Sequence, residues 1–218
     1  MKPAPRKSVP ARSPSPAPKL AKAPHFVRII GGQWKRTRLA VADKAGLRPT
    51  PDRVRETLFN WLASLAGAGG GELPGWRCVD AFAGTGALGL EAASRGAESV
   101  LLCEQDAALA LQLQALKAKL SAEAVRVERG NGVTALERTP AGSLHAVFLD
   151  PPFDNEALYA PALSAAARAL RPGGVIYLEA ARQWDEQALS SLGLVVYRHF
   201  RAGAVHAHLL QRDADAAA

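Results

Sequence analysis

Cysteine is nearly missing from this 218-residue chain: only Cys78 and Cys103 occur, each inside an apolar run. That excludes a disulfide scaffold, and both thiols are expected to be small, reduced core residues. Long apolar runs are missing too, with nothing near the roughly 18 consecutive residues that a membrane span requires. The first residues lack the apolar core of a secretory signal, so the cytoplasm is the expected compartment. No metal ligand set is expected. Acidic residues are absent from residues 1–24, where six Lys or Arg and seven Pro accompany Ala and Ser. With so few large apolar side chains, that stretch cannot offset its ordering entropy by burial and is expected to be disordered. The C-terminal end, residues 213–218, is expected to be disordered as well.

What is present describes a soluble globular protein, 48% hydrophobic and 22% charged, long enough for one well-buried domain and an appendage. The net charge of +7 is unevenly placed: residues 25–60 hold eight Lys or Arg against three acids, and everything after residue 60 is four units negative. A one-sided basic excess suits docking to a polyanion, because phosphate contacts supply much of nucleic-acid affinity. Residues 25–65 are expected to form a hairpin and a helix. Phe26 to Leu39 suggests a strand, a turn at Gly31-Gly32 and a second strand carrying Lys35, Arg36 and Arg38 around Trp34, a mixture of charge and stacking surface that suits RNA. The helix has Thr50 as its expected N-cap, Pro51 at its first position and Val54, Leu58, Trp61, Leu62 and Leu65 along one face. Arg48, Arg53 and Arg55 crowd its start, where the dipole disfavours cations, so an anion or carboxylate is expected nearby.

From residue 76 to 212 strands and helices alternate, which predicts an α/β domain with a mostly parallel sheet. Strands are expected at Arg77–Phe82, Ser99–Glu104, Val125–Arg129, Ala146–Leu149 and Val175–Glu179. Helices are expected at Ala87–Arg95, Asp106–Leu120, Val133–Glu137 and Glu156–Leu170, the last closed by Arg171 to Gly174. Leu194–Phe200 and Val205–Gln211 are joined by too few residues for a crossover, so they are expected to form an antiparallel hairpin.

Two stretches carry chemistry. Asp80-Ala81-Phe82-Ala83-Gly84-Thr85-Gly86-Ala87-Leu88-Gly89 takes a strand through a glycine turn into a helix, and Glu104 closes the next strand at the spacing of a ribose-hydroxyl acceptor. A carboxylate at 80 would repel a pyrophosphate but hold an ammonium, which favours S-adenosylmethionine over a dinucleotide. Asp150-Pro151-Pro152-Phe153 ends an apolar strand at the carboxyl edge of the sheet. A carboxylate, a carbonyl freed from the sheet and a nearby ring suit a planar base with an exocyclic amine. An ordinary strand-ending turn is the plain alternative.

On Arg28-Ile29-Ile30-Gly31-Gly32, Arg48-Pro49-Thr50 with Asp52 to Glu56, the glycine turn continued by Leu90-Glu91-Ala92, and Asp150 to Phe153, the chain resembles the class I S-adenosylmethionine-dependent methyltransferases. Specifically, it resembles the bacterial 16S rRNA (guanine(966)-N2)-methyltransferase family over about residues 26–212. The resemblance implies a Rossmann-like sheet of seven strands, the last antiparallel, with an N-terminal hairpin and helix beside the site. It implies cofactor contacts at Asp80, Phe82, Ala83, Gly84, Thr85, Gly86, Glu104 and Gln105, and target-amine contacts at Asp150, Pro151, Pro152 and Phe153. RNA contacts are implied at Arg28, Lys35, Arg36, Arg38, Arg48, Arg53 and Arg55. Where the family often places an acid for the adenine amine, this chain has Gly130-Asn131-Gly132, and the Asn131 carbonyl would take that bond. The implied partner is 16S rRNA, within the 30S subunit or an assembly intermediate, met by a monomer. An adenine-N6 DNA or RNA methyltransferase, a small-molecule methyltransferase and a non-catalytic RNA-binding module stay open on the residues alone.

Overall fold

The computed structural model describes residues 26–42, 50–153 and 155–213. The expectations for residues 1–24, Arg48 and residues 214–218 lie outside the described residues. Apolar strands alternating with helices build a three-layer sandwich. Strands β3 (Arg77–Asp80), β4 (Ser99–Glu104), β5 (Val125–Arg129), β6 (Leu144–Leu149) and β7 (Leu170–Ala180) pair in parallel. The hairpin β8 (Leu194–Ala202) and β9 (Val205–Arg212) completes the order β5-β4-β3-β6-β7-β9-β8, with β9 antiparallel to both neighbours. One face carries α1 (Asp52–Ala66), α2 (Ala87–Ser94) and α3 (Ala107–Lys119), packed on Leu102, Phe148 and Tyr177. The other carries α4 (Gly132–Arg138), α5 (Tyr159–Ala169) and α6 (Glu186–Ser190), packed on Val79, Val147 and Ile176. Covering on both faces is why the central strands are almost unbroken runs of apolar residues. Both cysteines are free and buried in this core, and burial pushes each thiol up to about 12. No described helix is long and apolar enough to cross a membrane.

Several elements differ from their sequence-based outlines, each for a local reason. The helix expected at Glu156–Leu170 begins as a 3-10 turn, Glu156–Leu158, and becomes α-helical only at Tyr159. Restarting there puts Pro161 in the first turn, where its missing N–H forfeits no helix hydrogen bond. Residues Arg171 to Gly174 do not end a separate element. Leu170 already pairs with Leu144 and Val175 with Ala146, so the proline-glycine stretch bulges out of a continuous β7. Helix α6, absent from the sequence outline, is short but capped: the Asp185 carboxylate accepts the N–H groups of Gln187 and Ala188 at 2.7 and 3.0 Å. Asp213, expected in a disordered end, donates its N–H to the Gly193 carbonyl at 2.8 Å.

The N-terminal extension is fastened to the sandwich through buried charge. Its strands β1 (Phe26–Arg28) and β2 (Arg38–Ala40) are shorter than expected, so Lys35 and Arg36 lie in the connecting turn and only Arg38 is in the second strand. Gly31 and Gly32 serve as a docking surface against α2: Gln33 N–H reaches the Ser94 carbonyl at 2.8 Å, and the Ser94 hydroxyl donates to the Gly31 carbonyl at 2.6 Å. Thr50 is not the N-cap of α1. Pro51 holds that place without a side-chain bond, and the Thr50 hydroxyl is drawn to Glu179 instead. The apolar stripe of α1 also includes the fully buried Phe59, which packs on Phe148 with ring centroids 6.0 Å apart. Trp61 and Leu65 sit at its half-buried margin.

Glu91, with no exposed surface, is the hub of this attachment. It accepts the backbone N–H groups of Ile30 and Gly31 at 2.6 and 2.8 Å and Arg95 Nε at 2.8 Å, and it lies 3.6 Å from the Arg55 guanidinium. Truncating one member of a buried ionic cluster leaves its partners desolvated, so Glu91→Ala is expected to cost about 3–5 kcal/mol of unfolding free energy in urea titration. Hydrogen exchange at the Ile30 and Gly31 amides should accelerate in that variant. A loss below about 1 kcal/mol, the scale of an exposed ion pair, would show that the cluster does not anchor the extension.

Candidate active site

Strand register gathers four acids at one edge. Asp80 pairs with Leu102 on one side and Phe148 on the other, and Phe148 pairs with Tyr177. Side chains alternate along a strand, so Asp80, Glu104, Asp150 and Glu179 all belong to the face covered by α1 and α2. They close β3, β4, β6 and β7, four neighbouring strands, at the carboxyl edge where open α/β sheets bind ligands. Sequence reasoning found three of the four and missed Glu179. Its signal was present: Val175 to Leu178 is an apolar run ending in an acid, the pattern that singled out Asp80 and Asp150.

The glycine turn is as tight as the motif requires. Gly84 and Gly86 adopt φ of 49° and 78°, a left-handed region that side chains disfavour, and Gly86 opens α2. A methyl group at Gly89 would stand 2.1 Å from Leu102 Cδ2 and 3.1 Å from Asp80 Cβ, so helix and sheet approach closely there and a larger residue would force the core to shift. Glu104 braces the turn: it accepts the Gly84 N–H at 2.9 Å and the Asp106 N–H at 2.8 Å, one on each oxygen. Asp80 is 1% exposed and accepts the Gly89 N–H at 2.9 Å through Oδ2, while its buried Oδ1 has no hydrogen-bond partner among the described residues. Burial pushes this carboxyl up to about 7, with the Glu104 charge adding to the rise and the backbone N–H groups of Gly89 and, more weakly, Phe82 opposing it. A buried acceptor without a donor suits a cationic group.

Of the other expected cofactor residues, Ala83 and Thr85 are buried in the turn, Phe82 is half-buried against the core on the opposite face of the sheet, and Gln105 is exposed. Asn131 departs from expectation. Its carbonyl oxygen caps α4, accepting the N–H groups of Val133 and Thr134 at 2.8 and 3.2 Å, so the group it can offer a ligand is its amide N–H rather than an acceptor.

Around Asp150 the chain leaves the sheet as expected. Pro151 is buried, Pro152 exposed and Phe153 half-buried. The Pro152 carbonyl accepts the Asn155 N–H at 3.1 Å, whereas no described donor reaches the Pro151 carbonyl. Burial, followed by the charges of Glu179 and Asp80, raises the Asp150 carboxyl well above the usual carboxylate range. Tyr159 is a second residue missed in the sequence. It is 5% exposed, stacks near Trp184 with ring centroids 5.7 Å apart, and is pushed up to about 12 by burial and by the Asp150 charge.

The expected RNA-facing cations separate into two groups. Lys35, Arg36, Arg38 and Arg53 are exposed, with Arg38 over the Phe26 ring at 4.5 Å. Arg28 is exposed but ion-paired to Asp52 at 2.9 Å. Arg28, Lys35 and Arg36 line a cleft of about 200 Å³ between the hairpin turn and α1, together with Asp52 and Glu56. Arg55 is a correction: it is fully buried, bonded to Asp52 at 2.7 Å and to the Thr50 carbonyl at 3.2 Å, and beyond the reach of any phosphate. The carboxylate expected near the crowded helix start is thus supplied within the chain.

Comparison with known proteins places this geometry. A family model described as conserved hypothetical protein 95 matches residues 27–211. The chain is 37% identical to ribosomal RNA small subunit methyltransferase D of Haemophilus influenzae over 80% of this chain and 93% of that protein. It is 49% identical to the protein of that name from Escherichia coli, over 58% of this chain and only 60% of the relative's length. A solved structure titled a putative methyltransferase from Escherichia coli superposes with a TM-score of 0.70 at 36% identity, covering 87% of this chain and 99% of that one. The sheet order, the glycine turn at the first parallel strand and these matches make the domain a class I, Rossmann-like methyltransferase fold. With the family model spanning nearly all of the described residues, the chain belongs to the family described as conserved hypothetical protein 95.

Proposed function

We propose that this protein transfers a methyl group from S-adenosylmethionine to the exocyclic N2 amine of a guanine in small-subunit rRNA. The single observation that carries the reading is the meeting, on one face of the sheet edge, of the partnerless Asp80 Oδ1 with Asp150 and the uncommitted Pro151 carbonyl. The relatives named for small-subunit rRNA methylation support the substrate class. The residues present fit the cofactor: Asp80 Oδ1 suits its ammonium, and each Glu104 oxygen keeps a lone pair for a ribose hydroxyl beyond its backbone bond. When bound, the cofactor supplies an electrophilic methyl group on a sulfonium.

The chain's own residues do the rest. An aromatic amine is a poor nucleophile because its lone pair is delocalised into the ring. Asp150 and the Pro151 carbonyl would accept its two hydrogens, which would favour a pyramidal nitrogen with its lone pair available for the transferred methyl group. Phe153 stacks on the base and fixes its plane. On methylation the amine nitrogen would shed one proton, which Asp150 is placed to accept. Catalysis is positioning and electrostatics, with no covalent enzyme intermediate. Lys35, Arg36, Arg38 and Arg53 extend a cationic surface from the site toward RNA phosphates. The substrate is 16S rRNA in the 30S subunit or an assembly intermediate, and the enzyme acts as a monomer.

Asp150→Ala should lower the methylation rate at least about a hundredfold while calorimetry finds cofactor binding intact; near-normal turnover would remove Asp150 from the chemistry. Cofactor affinity should depend on pH with a definite sign. Asp80 must be ionised to pair with the ammonium, so affinity should fall by up to about tenfold per pH unit as pH drops below about 7. Titration calorimetry between about pH 5.5 and 7.5 tests this, and Asp80→Asn should weaken binding and flatten the slope; a wild-type affinity indifferent to pH would contradict the assignment. Replacing Lys35, Arg36, Arg38 and Arg53 together by Gln should weaken RNA binding and reduce the slope of log affinity against log salt by about 0.7 for each phosphate no longer neutralised. An unaltered slope would exclude this face as the RNA surface.

A further inference from the structure

We infer that Glu179 is a specificity-determining residue: with Asp150 it forms a paired-carboxylate reader that accepts the N1–H of guanine while Asp150 takes the 2-amino group, and so rejects adenine. The inference rests on the guanine-N2 reading above and deepens it. Leu149 pairs with Leu178, so the next residues, Asp150 and Glu179, stand side by side across β6 and β7 at the parallel-strand spacing of about 4.8 Å.

Glu179 is 2% exposed, yet its hydrogen bonds are one-sided. The Thr50 hydroxyl at 2.7 Å and the Tyr177 hydroxyl at 2.8 Å both donate to Oε1. Oε2 accepts no hydrogen bond among the described residues, and it is not among the sealed, partnerless atoms of the core. Here both donors hold one oxygen, and the Glu179 charge is among the causes that raise the neighbouring Asp150 carboxyl. Burial raises the Glu179 carboxyl above its ordinary value, and the Thr50 and Tyr177 hydroxyl bonds and the Arg55 charge offset part of that rise.

The Watson–Crick edge of guanine presents adjacent donors, N1–H and the 2-amino group. Two adjacent carboxylate acceptors match that pair. Adenine in the same pose would set its N1 lone pair against the Glu179 carboxylate, leaving both acceptors without a proton between them. A site built to accept a hydrogen bond discriminates strongly against an analogue that lacks the hydrogen.

The test uses RNA in which wild-type enzyme has first been mapped to a methylated guanosine. The same RNA is then prepared with 2,6-diaminopurine at that nucleotide, which keeps the 2-amino group but replaces N1–H by a lone pair. Wild-type enzyme should methylate guanosine about a hundredfold more efficiently in kcat/KM than diaminopurine. Glu179→Gln, whose amide can donate to N1, should narrow that ratio by at least about tenfold while cofactor affinity and melting temperature hold. Equal loss on both bases would make Glu179 a structural residue and overturn the inference. So would equal wild-type activity on both bases, a comparison that needs no variant to fold. Absence of methyl transfer to any guanosine by the wild type would instead overturn the guanine reading itself, and the inference with it.

Discussion

Like charges crowded into a dry edge of a sheet repel one another, and the organisation of this protein follows from that repulsion being tolerated. Asp80, Asp150 and Glu179 are each shifted toward their protonated forms, with burial as the largest cause in every case. Apolar residues at those positions would make a more stable sheet, so the cost is evidence of use. Donors are distributed unequally. Glu104 and one oxygen of Glu179 are satisfied from within the chain, whereas among the described residues Asp80 Oδ1 has no hydrogen-bond partner. A free acceptor at this edge is where the proposed cationic ligand group would compensate the crowded charge.

The N-terminal extension is part of this arrangement rather than an ornament on it. Arg55 on α1 meets Glu91 on α2, Asp52 on its own helix and the Thr50 carbonyl, and Thr50 in turn donates to Glu179. Asp52 passes the connection to Arg28 on the hairpin. A continuous set of ionic and hydrogen-bonded contacts therefore joins the basic hairpin to the carboxylate nearest the proposed target base. Burial lowers the pKa of Arg55, and the Glu91 and Asp52 carboxylates offset that effect. The guanidinium thus holds the extension in register with the edge and is not available to bind phosphate.

Much of the molecule was legible in its residues. Strands β4 and β5 fall where apolar alternation put them, and the Gly84-Thr85-Gly86 turn takes the left-handed geometry that its glycines permit. These are local matters, decided by side-chain period and backbone sterics within a few residues. The errors arose where a partner distant in sequence changed the outcome. Thr50 has the composition of an N-cap, but its hydroxyl is oriented by donating to the distant Glu179, and the turn-like Arg171 to Gly174 is held within a strand because Leu170 finds Leu144. Asn131 likewise looked like a ligand acceptor until the start of α4 claimed its oxygen.

By itself the sequence determined the alternation that makes a parallel sheet, the glycine turn, and the acids at the ends of three strands, because each depends on neighbours close along the chain. Only the tertiary structure decided that a fourth acid joins them, that Arg55 is buried instead of free for RNA, and which carboxylate oxygens are left without donors. The hydroxyl that orients Glu179 lies 129 residues away from it in sequence. No periodicity or spacing rule spans such a separation; strand register and helix packing do.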